Sequence, residues 1–331
     1  MVDVQNLKGW VPIDAVVSEG RPGLLWMNAN GEEFSEPFFQ QTVERLRTKQ
    51  PKPIEWFSDF DAALQLEKLA ETIKPDGFIF HSSRCGSTLI SNALRCIKDA
   101  IVVSEASAID KLVVRLMTDA GKESIYSVIL RAVVSAFGQR RTGDERRLFV
   151  KWSCCSTSQV QRIRRIWPNV PCVFLYRDPV ETAVSNLTTK PEWLLDPDRR
   201  VLAAIIGVSI DTIRTMSDEE LCVRSIASFY SAAQQLANDR SLLLNYRRLS
   251  TSRILSALEF FNVEASREEA DAIQRATAVY SKDASQSLSF VNDSDMKRRS
   301  ATKLVRDLVE QWAVRAYDVL EQTEAQVDKG W

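Results

Sequence analysis

The chain has 331 residues, 45% apolar and 26% charged, and its 43 Lys and Arg nearly cancel its 44 Asp and Glu, for a net charge of −1. That describes a globular protein long enough to bury a sizeable core, without the positive excess that would make nucleic acid the expected partner. The start, MVDVQNLKGW, has no basic segment leading into an apolar run, and apolar stretches such as VLAAII at 201–206 are too short to span a bilayer. A cytoplasmic protein with no membrane span is expected.

Residues 1–73 differ in pattern from the rest. VPIDAVVSE and LLWMNA flank the turn signal GRPG and predict a hairpin, EPFFQQTVERLR and DAALQLEKLAETI predict helices, and KQPKPIEW at 49–56 looks like the linker between those helices. No chemistry attaches to this extension. From Gly77 onward, short apolar segments rich in β-formers alternate with helical ones. The strands are FIFHS (78–82), AIVVSE (100–105), RLFVKWS (147–153), PCVFLYR (171–177) and SLLLNYR (241–247). Between them lie SVILRAVVSAFGQ, STSQVQRIRRIW, PVETAVSNL and LCVRSIASFYSAAQQLAN. Over 74–331 this predicts an α/β domain: a three-layer parallel sheet with helices on both faces and right-handed crossovers, preceded by a small α+β extension. Ligands of such sheets bind beyond the carboxyl ends of the strands, so the residues after each strand are the candidates. Six cysteines (Cys85, Cys96, Cys154, Cys155, Cys172, Cys222) form no CxxC pair and are expected to be buried, reduced thiols.

The first strand runs into SSRCGST (82–88) and then a helix. N–H groups that open a helix lack intrahelical partners, and the helix dipole favours an anion there, so a small-residue loop at this junction is a phosphate cradle. Against the P-loop pattern GxxxxGK[ST], Gly86 and Thr88 match, while His81 stands at the first glycine and Ser87 at the lysine. The positive charge has moved to Arg84. A Mg·triphosphate needs that lysine and a metal-holding carboxylate at a neighbouring strand end. The neighbouring strand ends in Arg177, and Asp178, just before Pro179, is placed to cap a helix. A metal-free anion site fits these residues better, the alternative being a turn that serves only geometry.

YRDPVETAVS repeats the arrangement, with Arg177 after a strand and Ser185 eight positions later in the following helix. Together the two segments resemble the P-loop sulfotransferases that use 3′-phosphoadenosine 5′-phosphosulfate (PAPS), over roughly residues 75–250, and more the tyrosylprotein and bacterial branch than the cytosolic aryl branch. In that family PRSGTTL or PKSGTTW holds the 5′-phosphosulfate, and R(D/N)P with a later serine holds the 3′-phosphate. The resemblance implies that Ser83, Arg84, Cys85, Gly86, Ser87 and Thr88 surround the 5′-phosphosulfate, that Arg177 and Ser185 meet the 3′-phosphate, and that PAP is the product with no metal involved. An arginine fork suits phosphate oxygens.

Sulfuryl transfer needs a base near the acceptor and cations near the leaving oxygen. Glu105, 21 positions after Arg84, resembles the catalytic glutamate of the tyrosylprotein branch; alternatively Ser104 and Glu105 cap the helix starting near Ala106. His81 is the alternative base, or is packed beneath the loop. Lys151 resembles the lysine that stabilises the bridging oxygen. Tyr246, in LLLNYRRL, resembles the strand-end tyrosine near the adenine, although Arg247 and Arg248 replace the family's acidic pair. Lys282, in YSKDASQSLSF, resembles a flap residue over the nucleotide but lacks the RKGxxGDWK form. The competing readings are a P-loop nucleotide kinase and a non-catalytic nucleotide-binding module. The near-zero net charge points to a small-molecule hydroxyl or amine acceptor rather than a charged polymer. WLLDPDRRVLAAIIGV and CVRSIASFYSAAQ, together with residues 1–73, are candidates for its pocket.

Overall fold

A computed structural model of the chain describes residues 7–52, 54–236, 240–278 and 294–328. The N-terminal hairpin pairs β1 (Trp10–Ser18) with β2 (Arg21–Asn28). Its turn is Glu19–Gly20, both at positive φ (51° and 76°), as a tight type I′ connection requires. The GRPG signal is therefore misplaced by a residue or two, and Pro22 and Gly23 already lie in the strand opposite Val17 and Val16. After α1 (Phe39–Arg47), part of the expected linker forms β3 (Glu55–Ser58), which adds to β2 antiparallel and makes a three-stranded sheet where only a hairpin was expected. Helix α2 (Asp61–Leu69) closes the extension.

The main part begins with β4 (Pro75–His81), α3 (Ser87–Arg95), β5 (Ala100–Ser104), α4 (Ser107–Thr118), α5 (Glu123–Phe137) and β6 (Arg147–Lys151). It continues through α6 (Val160–Ile166), β7 (Cys172–Tyr176), α7 (Pro179–Thr188), three short helices α8 (Glu192–Leu195), α9 (Arg200–Ile206) and α10 (Ile210–Arg214), then α11 (Asp218–Ala233) and β8 (Ser241–Asn245). Helices α12 (Thr251–Phe260), α13 (Arg267–Ala278), α14 (Ser294–Ser300), α15 (Lys303–Trp312) and α16 (Val314–Asp328) follow. The five strands pair all-parallel in the order β5-β6-β4-β7-β8. Chain order reverses direction beside β4: the connection out of β4 leads to β5 on one side, and that out of β7 leads to β8 on the other. The crevice beyond the carboxyl ends of β4 and β7 is the expected ligand position for this topology.

Strand alternation divides the interior into two cores. Phe78, Phe80, Val150 and Phe174 face one side, while Ile79, Phe149, Val173 and Leu175 face the other and meet Ile90 of α3 and Ile254 of α12. Because both faces are buried, the strands read as unbroken apolar runs, which is why the sequence pattern exposed them. The first core also contains Leu24, Trp26 and Met27 of the N-terminal sheet, so the extension shares its interior with the α/β part. No helix among the described residues is long and apolar enough to cross a membrane.

Candidate active site

The loop after β4 carries three left-handed residues in four positions: Ser83 (φ 74°), Arg84 (φ 49°) and Gly86 (φ 80°). Successive turns of this kind curve the backbone into a concave nest, and here it opens directly onto the N-terminus of α3. Positive φ is costly for Ser and Arg, and their neighbours hold them there. The N–H of Ser83 donates to His81 Nδ1 (3.2 Å) and its hydroxyl to Asn186 Oδ1 (2.9 Å), while Arg84 Nη2 donates to the Thr189 carbonyl (2.7 Å). At position 86 a Cβ would stand 2.9 Å from Tyr246 Cδ2 and 3.1 Å from Leu249 Cδ2, so both conformation and space demand glycine. Cys85 points the opposite way: its thiol donates to the Leu175 carbonyl (3.2 Å), and burial pushes its pKa up to about 11. Cys85 therefore offers an anion only its backbone N–H. Ser87 and Thr88 open α3 and line the cavity above it. Arg84 also lines that cavity, but its fork is engaged with the end of α7 rather than turned into the nest.

Three side chains converge at neighbouring strand ends: His81 on β4, Lys151 on β6 and Glu105 just past β5. Lys151, 1% exposed, donates to Glu105 Oε1, and His81 Nε2 stands 3.3 Å from the same oxygen. Glu105 has φ 51°, and its N–H donates to the Lys151 carbonyl (2.8 Å). Burial alone would raise its pKa, but the Lys151 charge and His81 outweigh it and hold the carboxyl well below the usual range. Neither Ser104 nor Glu105 caps α4. The N-cap is Ala106, without a side-chain bond, and the Ser104 hydroxyl accepts from Arg95 Nη2 (2.7 Å). His81, the alternative base, has both ring nitrogens near partners in this arrangement. Its Nδ1 accepts from Ser83, so a neutral ring keeps its proton on Nε2, facing Glu105. It orients the loop and the carboxylate.

Arg177 follows β7 as expected but is 3% exposed and committed. Its Nε donates to Glu181 Oε2 (2.7 Å), its Nη2 to the Ser294 hydroxyl (3.1 Å), and its plane lies over the Tyr246 ring at 4.3 Å. Asp178 caps α7, accepting from the N–H groups of Val180 (3.0 Å) and Glu181 (3.1 Å). Arg298 of α14 shares this cluster, 2.8 Å from Glu181 Oε1 and 3.1 Å from Asp178 Oδ2. An anion at Arg177 thus meets a guanidinium with Glu181 already on one edge, and Arg298 is a second cation the sequence did not suggest.

The nest, the Lys151–Glu105–His81 cluster and Arg177 border one cavity of about 1250 Å³. Arg84, Gly86, Ser87, Thr88, Arg177, Ser185 and Tyr246 line it, as do His81, Glu105 and Lys151. Phe38 lines it from the N-terminal extension, which was a candidate only as a whole, while Asp110 on α4 and Lys297 on α14 carried no expectation from the sequence. The Phe38 ring centre lies 4.8 Å from the Lys151 ammonium. Of the helices expected to line an acceptor pocket, the first contributes Trp193, Val201 and Leu202, while CVRSIASFYSAAQ lines no part of this cavity and packs its buried face into the core. Lys282 lies outside the described residues. All six cysteines are free thiols.

No family model matches the sequence, and no curated protein matches it. Among solved structures, the chain is similar to a sulfotransferase from Alicyclobacillus acidocaldarius at 15% identity, over 76% of this chain and 96% of that one, with a TM-score of 0.45. A sulfotransferase from Mycobacterium avium aligns at 9% identity over 76% and 80% (TM-score 0.46), and a mouse sulfotransferase complexed with PAP at 13% over 79% and 87% (TM-score 0.35). Likeness at this level leaves the function of the cavity to be read from the chain's own residues.

Proposed function

We propose that the protein transfers a sulfuryl group from PAPS to the hydroxyl of a small-molecule acceptor, by in-line displacement. The observation that carries this reading is the opening of a left-handed anion nest and a buried Lys–Glu–His cluster onto one cavity, across adjacent strand ends. The backbone N–H groups around Gly86 and the hydroxyls of Ser87 and Thr88 would receive the 5′-phosphosulfate, and Tyr246 the adenine side. Arg177 and Ser185, with Arg298 and Lys297 nearby, would meet the 3′-phosphate. Lys151 would neutralise the bridging oxygen as its bond to sulfur breaks, giving PAP. Glu105, the base implied by the resemblance, is a weak one while its charge is committed to Lys151. No observation favours the kinase reading: Ser87 holds the position of the phosphate-reaching lysine.

Titration calorimetry with PAP, with and without Mg²⁺, tests the reading. Binding of PAP that is independent of Mg²⁺, followed by PAP release from PAPS in the presence of acceptor, supports it. Tighter binding of Mg·ATP than of PAP refutes it.

A further inference from the structure

The cavity has two chemically different ends. Around the nest it is lined by backbone, hydroxyls and cations; beyond it runs an apolar strip, Val113, Val114 and Met117 on α4 with Trp193 of α8 and Leu202 of α9, edged by the charged Lys111, Glu192, Asp196 and Arg199. Positions 110, 113, 114 and 117 follow the i, i+3, i+4, i+7 spacing of one helix face. Asp110 is the polar end of that stripe, nearest in sequence to Glu105. The Ser156 hydroxyl lies 3.4 Å from its Oδ1, and Ser153 in the same turn after β6 also bonds to it.

Two carboxylates therefore face the place where an acceptor must sit, and their surroundings pull them apart. Lys151 keeps Glu105 charged. Burial and the Glu105 charge push the Asp110 carboxyl up to about 7. The titratable groups facing Asp110 are Glu105 beyond β5, Lys151 on β6 and Cys155 in the turn after β6, with Lys111 beside it on its own helix. A pair separated in this way divides the work of a site: the group titrating near the working pH moves the proton, and the other fixes charge.

Resting on the sulfuryl-transfer reading, we propose that Asp110 takes the acceptor's proton and that the acceptor is an apolar molecule lying along Val113, Val114 and Met117 with a single hydroxyl at the Asp110 end. The hydroxyl oxygen forms its bond to sulfur as the bond from sulfur to the 5′-phosphate oxygen breaks. The electron pair of that bond leaves with PAP beside Lys151, and the hydroxyl proton passes to the Asp110 carboxylate and then to solvent. Glu105 is a positioning residue, holding Lys151 at the strand end.

The test compares wild type, Asp110→Asn and Glu105→Gln. Affinity for PAP is measured by calorimetry, and turnover of PAPS with 2-naphthol, 1-decanol and glucose is followed against pH. The Asp110 carboxyl stretch is titrated by infrared difference against Asp110→Asn. The expected result is near-wild-type PAP affinity in Asp110→Asn, with turnover down by roughly 10²–10⁴-fold. The wild-type rate should rise through about pH 7, matching the infrared midpoint; this limb should vanish in Asp110→Asn, while Glu105→Gln keeps a limb displaced to lower pH because the Glu105 charge no longer raises the carboxyl. Normal PAP binding with the limb intact in Asp110→Asn overturns the proposal alone, whereas absence of PAP binding in wild type overturns the sulfuryl-transfer reading and the proposal with it. Turnover of glucose but of neither apolar alcohol overturns the acceptor class. The infrared midpoint needs no acceptor, so a value near the ordinary aspartate pKa of about 4 refutes the assignment even if no probe is turned over.

Discussion

Replacing Lys151 by Met tests whether Glu105 depends on a single buried cation. Lys151 is 1% exposed and its ammonium bonds to a carboxylate that is itself only 26% exposed. Methionine fills similar space but leaves Glu105 with His81 at 3.3 Å as its remaining polar partner. Removing one member of a buried pair typically costs about 3–5 kcal/mol. The partial exposure of Glu105 and the nearby His81 argue for the lower end, ~3 kcal/mol at neutral pH. The pH dependence has a definite sign. Glu105's folded pKa lies below its unfolded value of 4.5, so its stabilising contribution is complete above that value and fades as acid takes the pH through the folded one. The variant lacks this contribution and can protonate Glu105 easily, so its deficit relative to wild type narrows on acidification. Urea unfolding at neutral pH and near pH 4 measures both numbers. The double variant Lys151→Met/Glu105→Gln should recover much of the loss by removing the stranded charge. A neutral-pH loss below ~1 kcal/mol, the range of an exposed pair, or a double variant no more stable than the single one, would falsify the account of this cluster.

Gly86→Ala should weaken PAP binding by about tenfold or more, because left-handed backbone costs an L-residue roughly 1–2 kcal/mol and the new methyl displaces Tyr246; calorimetry with unchanged affinity would contradict the nest. Glu181→Gln removes the carboxylate that competes for Arg177, so PAP should bind tighter, on the order of tenfold, despite a lower melting temperature; weaker binding would mean that Arg177 does not meet the nucleotide. Asp110→Asn should stabilise the fold at pH 8. The charge on Asp110 costs nothing below its unfolded pKa of 3.8, increasingly more from there up to about 7, and the full amount above. That gap of about 3 units is worth roughly 4 kcal/mol at most, and about 2 after allowing for the side chain's partial exposure. Denaturant melts showing no gain at pH 8, or the same gain at pH 4, would contradict the raised carboxyl.

The sequence pattern revealed the five parallel strands because each is buried on both faces and therefore unbroken in hydrophobicity. The sequence EWFS at 55–58 escaped notice because its strand is short, half-exposed and preceded by prolines that resemble a linker. Lys151 stood out as a charge at the end of an apolar strand, and Glu105 through its position at the end of another. Asp110 gave no such signal, since a lone aspartate in a helical segment reads as solvated surface. Its significance comes from Glu105 and the turn at 153–156 closing around it, which is tertiary. The commitment of Arg177 was partly legible: RDPVE puts a glutamate four positions on, but only the fold buries that glutamate completely and brings Arg298 to its other oxygen.

Phe38 gives the N-terminal extension a stake in the chemistry. Its ring roofs the Lys151 ammonium, while the surrounding sheet is welded into the main interior. The parts that would grip the nucleotide are rooted in strand ends and helix starts, which tolerate little change. The opposite rim is assembled from short helices and this imported segment. Exchanging the first few dozen residues between related chains would therefore alter the acceptor side and the setting of Lys151 together.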